Sequence, residues 1–170
     1  MKKYKNLDHL LKAYKIVKQE IPDAQLIIIG AGDQEKRMKK LAEKLELRDV
    51  YFLGKVSEEE KIRCMQRAWI IVSTSMVEGW GITITEAAAC RTPAVAYNVP
   101  GLRDSVKHMK TGILVESGDI EQLAKAIAWL LTDDSLRNKL SENAYRYAQS
   151  FSWENTAKAF LKIVEGVLHG

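Results

Sequence analysis

No apolar run in these 170 residues approaches the ~20 that a membrane-spanning helix needs, so no membrane span is expected. No run of five like charges occurs, and the net charge is only +4, so nucleic acid is not an expected partner. Cysteine is scarce: Cys64 and Cys90 each sit in an apolar helical setting and read as two buried free thiols. Met1 is followed directly by charged, amphipathic sequence, which lacks the form of a signal peptide, and the expected location is cytoplasmic. No long linker, repeat or low-complexity segment interrupts the chain. His9, His108 and His169 are scattered without partner spacing; only His108, in the Arg103–Lys110 stretch, is a minor candidate for a ligand contact.

What is present is enough apolar content, 46%, for one domain with a sizeable core. Leu7, Leu10, Leu11, Tyr14, Val17 and Ile21 are spaced for a helix that Pro22 stops. The run at 26–29 reads as a buried parallel strand entering the Gly30-Ala31-Gly32 turn. A helix carrying Met38, Leu41, Ala42 and Leu45 follows, then a strand at 50–53 closed by Gly54. Ser57 and Glu60 form a capping box for a third helix. Strands are expected at 69–73, 94–97 and 113–115, and helical stripes fill 120–131, 136–147 and 153–168. Alternating strands and helices with short links predict a doubly wound, parallel, Rossmann-like α/β domain over 1–170, with a helical tail at 151–170. In such sheets ligands bind beyond the carboxyl ends of the strands, where Gly30, Gly32, Gly54 and Gly79 all fall.

The chain centres on Ser73–Cys90, where Glu78 and Glu86 flank the glycines Gly79 and Gly81. A glycine loop lets backbone approach a ligand, and the helix after it offers free N–H groups to an anion. Glu86 falls about 1.3 turns into a helix starting near Ile82, roughly 7 Å along its axis, so the two acids can hold different parts of one elongated ligand. Taken alone, Glu78 reads first as a solvated loop acid, and the lesser alternative for Glu86 is a buried structural acid that caps a neighbouring loop. A dinucleotide fingerprint is excluded: position 35 is Glu35, not glycine, and no acid follows Leu53-Gly54.

The stretch Ser75–Ala96, with its E-x7-E spacing, resembles the signature of the retaining GT-B glycosyltransferases of family 4, also called group 1. Gly30–Asp33, Phe52–Gly54, Val56–Glu60, Gly112–Val115 and Phe151–Trp153 extend the resemblance over nearly the whole chain. It implies the C-terminal, donor-binding half of a two-domain enzyme that moves a sugar from a nucleoside-diphosphate sugar, with no further cofactor and no metal. It implies that Glu78 meets the transferred sugar near the reacting carbon and that Glu86 accepts from the ribose diol. The N–H groups of Gly81, Ile82 and Thr83 would bind the diphosphate, Lys5 would neutralise it, and Lys55 and Val56 would meet the base through their backbone. Trp80 packs beneath the sugar or fills the core.

Three departures stand out. The family's first strand, ending in Gly-Arg, has no counterpart before Met1-Lys2-Lys3-Tyr4, and neither does the acceptor domain. Arg91 stands where a glycine ends the central helix, at a cost of roughly 1 kcal/mol in a left-handed conformation, and Pro100 replaces the first of two turn glycines. Without the first strand, the strands at 26–29 and 69–73 either close on each other or leave a slot for Met1–Tyr4 or a second molecule. The expected partners are a nucleotide-sugar and a separate acceptor-domain protein or a second copy. The alternative is a free-standing nucleotide-sugar-binding module without chemistry of its own.

Overall fold

The computed structural model describes residues 1–168. In chain order it contains α1 (Leu7–Glu20), β1 (Leu26–Ile29), α2 (Glu35–Lys44), β2 (Val50–Gly54), α3 (Glu58–Arg67), β3 (Ile71–Ser73), α4 (Ile82–Ala89), β4 (Ala94–Tyr97), α5 (Leu102–Ser105), β5 (Gly112–Val115), α6 (Ile120–Thr132), α7 (Asp134–Gln149) and α8 (Trp153–Leu168). Side-chain caps open three of these helices, of which only the Ser57 cap was expected from sequence. The side chains of Ser57, Asp119 and Asp133 accept from Glu60 N–H (3.1 Å), Gln122 N–H (2.8 Å) and Leu136 N–H (2.8 Å), opening α3, α6 and α7. The Glu60 half of the expected capping box is not formed among the described hydrogen bonds.

All five strands exist and every pairing is parallel, as expected, but the ladder is divided. β1 pairs only with β2, and β3–β4–β5 form a second sheet. The two edges do not close on each other. Helix α1 spans the division: Leu10, Ala13 and Val17 join the larger core, while Leu11 packs with Ile28, Met38 and Ala42 in a smaller one. Met1 to Asn6 ties the carboxyl edges together as a 3-10 turn (Lys3–Lys5) rather than as a strand. The Met1 amino group donates to Ala31 O, Met76 N–H donates to Tyr4 O (2.9 Å), and Thr74 Oγ1 donates to Lys5 O (2.7 Å).

Two further expectations are corrected. β3 begins at Ile71, not at residue 69: Trp69 is exposed and lies 4.1 Å from the Arg137 guanidinium, which stacks on its ring. Cys64 and Cys90 are free but only half-buried. Burial, and next the Glu86 carboxylate, push the Cys90 thiol above its ordinary pKa and keep it protonated. On α8, Phe160 and Leu161 of the expected apolar stripe are exposed, and so are Ile163 and Val167 beside it. Trp153 and Leu168 also belong to the expected stripe, but their side chains lie outside the description, as does His169. No described helix is long and apolar enough to cross a membrane.

Candidate functional site

The carboxyl ends of the strands gather most of the residues singled out from the sequence. β3 ends at Ser73, and the next two residues, Thr74 and Ser75, are both buried. Their hydroxyls organise the site. Thr74 holds the backbone of Lys5, and Ser75 Oγ donates to Glu78 Oε1 at 2.9 Å. Lys5 Nζ pairs with the same Oε1. Two donors on one oxygen fix the Glu78 side chain in place, and its Oε2 carries no partner among the described hydrogen bonds. The hydroxyl roles of Thr74 and Ser75 were missed from sequence; the only signal is a Ser-Thr-Ser run directly after a strand.

Gly81 opens α4 in the left-handed region at φ +78 and is buried. A Cβ there would come to 2.9 Å from Ser105 Oγ and 3.0 Å from Leu102 Cδ2, so only glycine fits. The N–H groups of Ile82 and Thr83 have no acceptor among the described residues, and both side chains are exposed. Gly79 faces open space. Beneath the loop lies a close contact the sequence did not reveal. Gly101, at φ +81, packs its bare backbone on the Glu78 carbonyl, where any Cβ would overlap it.

Glu86 projects from the last turn of α4, where the helix dipole disfavours a carboxylate and no basic residue lies in the turn. Compensation comes from α3: Lys61 Nζ lies 3.1 Å from Glu86 Oε1 and 2.7 Å from Glu58 Oε2. Those bonds, Glu58 first and Glu86 second, raise the Lys61 pKa above its ordinary value.

Gly30 and Gly54 meet directly, Gly30 N–H donating to Gly54 O at 2.7 Å, which closes the β1–β2 edge. Gly32 lies against Met1, while Lys55 is exposed and Val56 half-buried ahead of α3. Trp80 does not fill the core. Its Nε1–H donates to Thr85 Oγ1 at 3.0 Å, and its ring stands edge-on to Phe151 at 5.2 Å, in the link between α7 and α8. His108 is exposed and accepts from Leu114 N–H at 3.0 Å, a local turn closure. His9 does find a partner, its Nδ1 lying 2.9 Å from the hydroxyl of buried Tyr97.

Residues 1–147 match the glycosyl transferases group 1 family. The chain belongs to that family. Over 166 residues it is 36% identical to the poly(glycerol-phosphate) alpha-glucosyltransferase of Bacillus subtilis, covering 95% of this chain and 24% of that protein. Over 164 residues it is 36% identical to a D-inositol 3-phosphate glycosyltransferase of Corynebacterium jeikeium, covering 92% and 39%. Among solved structures, S. aureus TarM in complex with fondaparinux, alpha-GlcNAc-glycerol and UDP superposes with TM-score 0.86 at 26% identity, covering 94% of this chain and 32% of that one. The chain thus spans about a quarter of the first of these curated relatives and about two fifths of the second. Its α/β fold corresponds to the C-terminal half of GT-B proteins.

Proposed function

We propose that the chain is the donor-binding domain of a retaining glycosyltransferase, holding a nucleoside-diphosphate sugar. The observation that carries this is the convergence of Lys5 and Ser75 on Glu78 Oε1 beside the open N-terminus of α4. A carboxylate that must accept from sugar hydroxyls is held and aimed, next to N–H groups that suit a diphosphate. Glu86 accepts from the ribose diol, and the Gly54–Val56 loop meets the base. The diphosphate lies on Ile82 and Thr83. The turn at Gly30 and Gly32 borders the same edge, and Trp80 supports the loop from the Phe151 side. Binding draws Lys5 from Glu78 onto the diphosphate, where its charge offsets the negative charge that grows as the sugar departs. Glu78 is thereby released to the sugar.

The acceptor site lies outside these residues, and we expect transfer by this chain alone to be negligible. Positioning of two reactants can be worth roughly 7–11 kcal/mol, and a donor site by itself supplies none of it. Calorimetry with UDP, GDP, ADP and their sugar esters tests donor binding. Glu86→Ala is expected to weaken binding by about 1–3 kcal/mol. Chelator is expected to leave binding intact. No binding at millimolar nucleotide, or equal binding by Glu86→Ala, would discard the site. The ion-pair exchange has a sign of its own: Glu78→Gln should tighten the bare nucleoside diphosphate, because Lys5 loses its competitor, and weaken the sugar ester. In a Lys5→Met background the tightening should vanish.

A further inference from the structure

We propose that Lys61 is a positioning residue that holds Glu86 in place for the ribose. The assignment rests on the ribose role proposed above for Glu86.

Most ion pairs in the described structure are local, spanning three or four residues of one helix; four join separate elements. Two of those four hold the site acids, Lys5 on Glu78 and Lys61 on Glu86. Lys61 lies at the end of the first turn of α3, directly after the loop expected to meet the base. Its side chain is 22% exposed, against 80% for its other partner, Glu58. The Glu58 contact is thus a solvent-facing pair within one helix, of small energetic value. The Glu86 contact is the one that spans two helices, and the Glu86 side chain is 38% exposed against 80% for Glu58. It occupies Oε1 alone, and Oε2 of Glu86 has no partner among the described hydrogen bonds. A carboxylate in the last turn of a helix would otherwise swing away from the negative end of the dipole into solvent. Lysine removes that tendency and leaves one oxygen presented. It does so without touching the ribose itself, so its effect should be confined to the sugar hydroxyls that Glu86 reads.

That confinement gives the test. The 170-residue chain is titrated with whichever of UDP, GDP and ADP binds best, and with the 2′-deoxy form of the same nucleotide. The native chain should prefer the ribonucleotide by roughly tenfold, the value of a hydrogen bond to a charged group. Lys61→Met should erase most of that preference while leaving the deoxynucleotide affinity nearly unchanged. Lys61→Arg, which reaches the same carboxylate with its charge, should retain it. Should the methionine variant fail to fold, Lys61→Gln is measured in its place and is expected to behave alike. Equal weakening of both nucleotides by Lys61→Met would mean a merely structural lysine and would overturn the proposal. So would an arginine variant as defective as the methionine one. A native chain that binds nucleotide without ribose preference would sink both this assignment and the role of Glu86. A preference lost in Glu86→Gln but intact in Lys61→Met would sink only this one.

Discussion

The two sheets are built from similar apolar runs yet end in different surroundings. β4, Ala-Val-Ala-Tyr, is buried at all four positions. It lies between β3 and β5, and its residues share one core with residues of α1 and α6. β1, Leu-Ile-Ile-Ile, buries only Ile28 fully, and Ile27 is 47% exposed. On β2, Tyr51 and Leu53 are exposed as well, so the smaller sheet has α1 and α2 on one face and a wet face opposite. The difference teaches that an apolar run reports a strand but not its neighbours. Burial depends on which strands flank it, and the edge of β1 that faces away from β2 has no strand partner among the described residues. The candidate site straddles the difference. Its two acids stand on the larger body and the Gly54–Val56 loop on the smaller, joined by the N-terminal turn and by Lys61.

The sharpest way to break this comparison is to remove matched core volume from each side. Leu123, fully buried on α6 in the larger core, should lose about 2–5 kcal/mol on change to alanine. Ile28→Ala should fall near about 2 kcal/mol, the low end of that range, because half-exposed neighbours can settle into the space. Urea midpoints measure both. Equal losses would mean the two cores unfold as one. Native-state hydrogen exchange should agree, with Val95 protected to the global limit and Ile28 opening at lower free energy.

Next in size is Gly101→Ala. The change places a Cβ on the Glu78 carbonyl at a residue with φ +81. It should cost about 1–3 kcal/mol of stability. It should also weaken nucleotide binding, since Glu78 and Gly79 must move. Thermal unfolding and nucleotide titration on the same variant check it, and unchanged binding would mean the loop can move without disturbing the acids.

Much of this was legible in the residues. Strand order along the chain, the Ser57 helix cap, the left-handed Arg91 and the glycine edge all follow from local chemistry and the family signature. The division of the sheet was not, because pairing partners leave no local trace. Ser75, Thr74 and Lys61 were missed for a related reason. Each acts on a residue distant in sequence or across a turn, and a serine or lysine in a polar segment looks the same whether or not it has a partner. Gly101 was visible as a turn residue, but its contact with Glu78 is a property of the packed fold.

Alkaline pH distinguishes the halves without any effect at neutrality. Burial, with Asp49 and Tyr51 adding to it, pushes Tyr14 up to about 12, and its hydroxyl donates to Ala24 O (2.7 Å) near the entry to β1. Tyr97, on β4, is pushed up to about 12, chiefly by burial. Both fold with the proton bound more tightly than in the unfolded chain, where tyrosine titrates near about 10. Their contribution is therefore fully present below about pH 10 and is lost as pH rises through about 12. Unfolding followed from pH 9 to pH 12.5 should show this loss reduced in Tyr97→Phe and in Tyr14→Phe. If the sheets are unequal, the two variants should not be interchangeable: Tyr14→Phe should change exchange in β1 and β2 first, Tyr97→Phe the global transition.

The smallest expected effect tests whether the larger body depends on its polar periphery. Arg91 follows α4 in the left-handed region at φ 64, and glycine there would relieve about 1 kcal/mol of backbone strain. Against that, the guanidinium pairs with Glu142 on α7 and lies 3.9 Å from the centre of the Tyr145 ring. An exposed cation–π contact is worth about 0.5–1 kcal/mol, and a fully exposed ion pair adds little to it. Glycine also gives the unfolded chain more freedom, worth about 0.4–1 kcal/mol. The Ser141 hydroxyl bond to the Arg91 carbonyl (2.6 Å) survives, because it uses backbone. Arg91→Gly should therefore shift stability by no more than about 1 kcal/mol, slightly downward, at low salt and neutral pH. The deficit should shrink in high salt. It should shrink again in acid, because Arg91 first and Arg146 second hold the Glu142 carboxyl below its ordinary value, and this stabilisation is lost as pH falls through that lowered pKa. A loss well beyond the range of these exposed contacts would mean that Arg91 joins α4 to α7 as a structural pin, and that the edge of the larger body is less secure than its buried strands suggest.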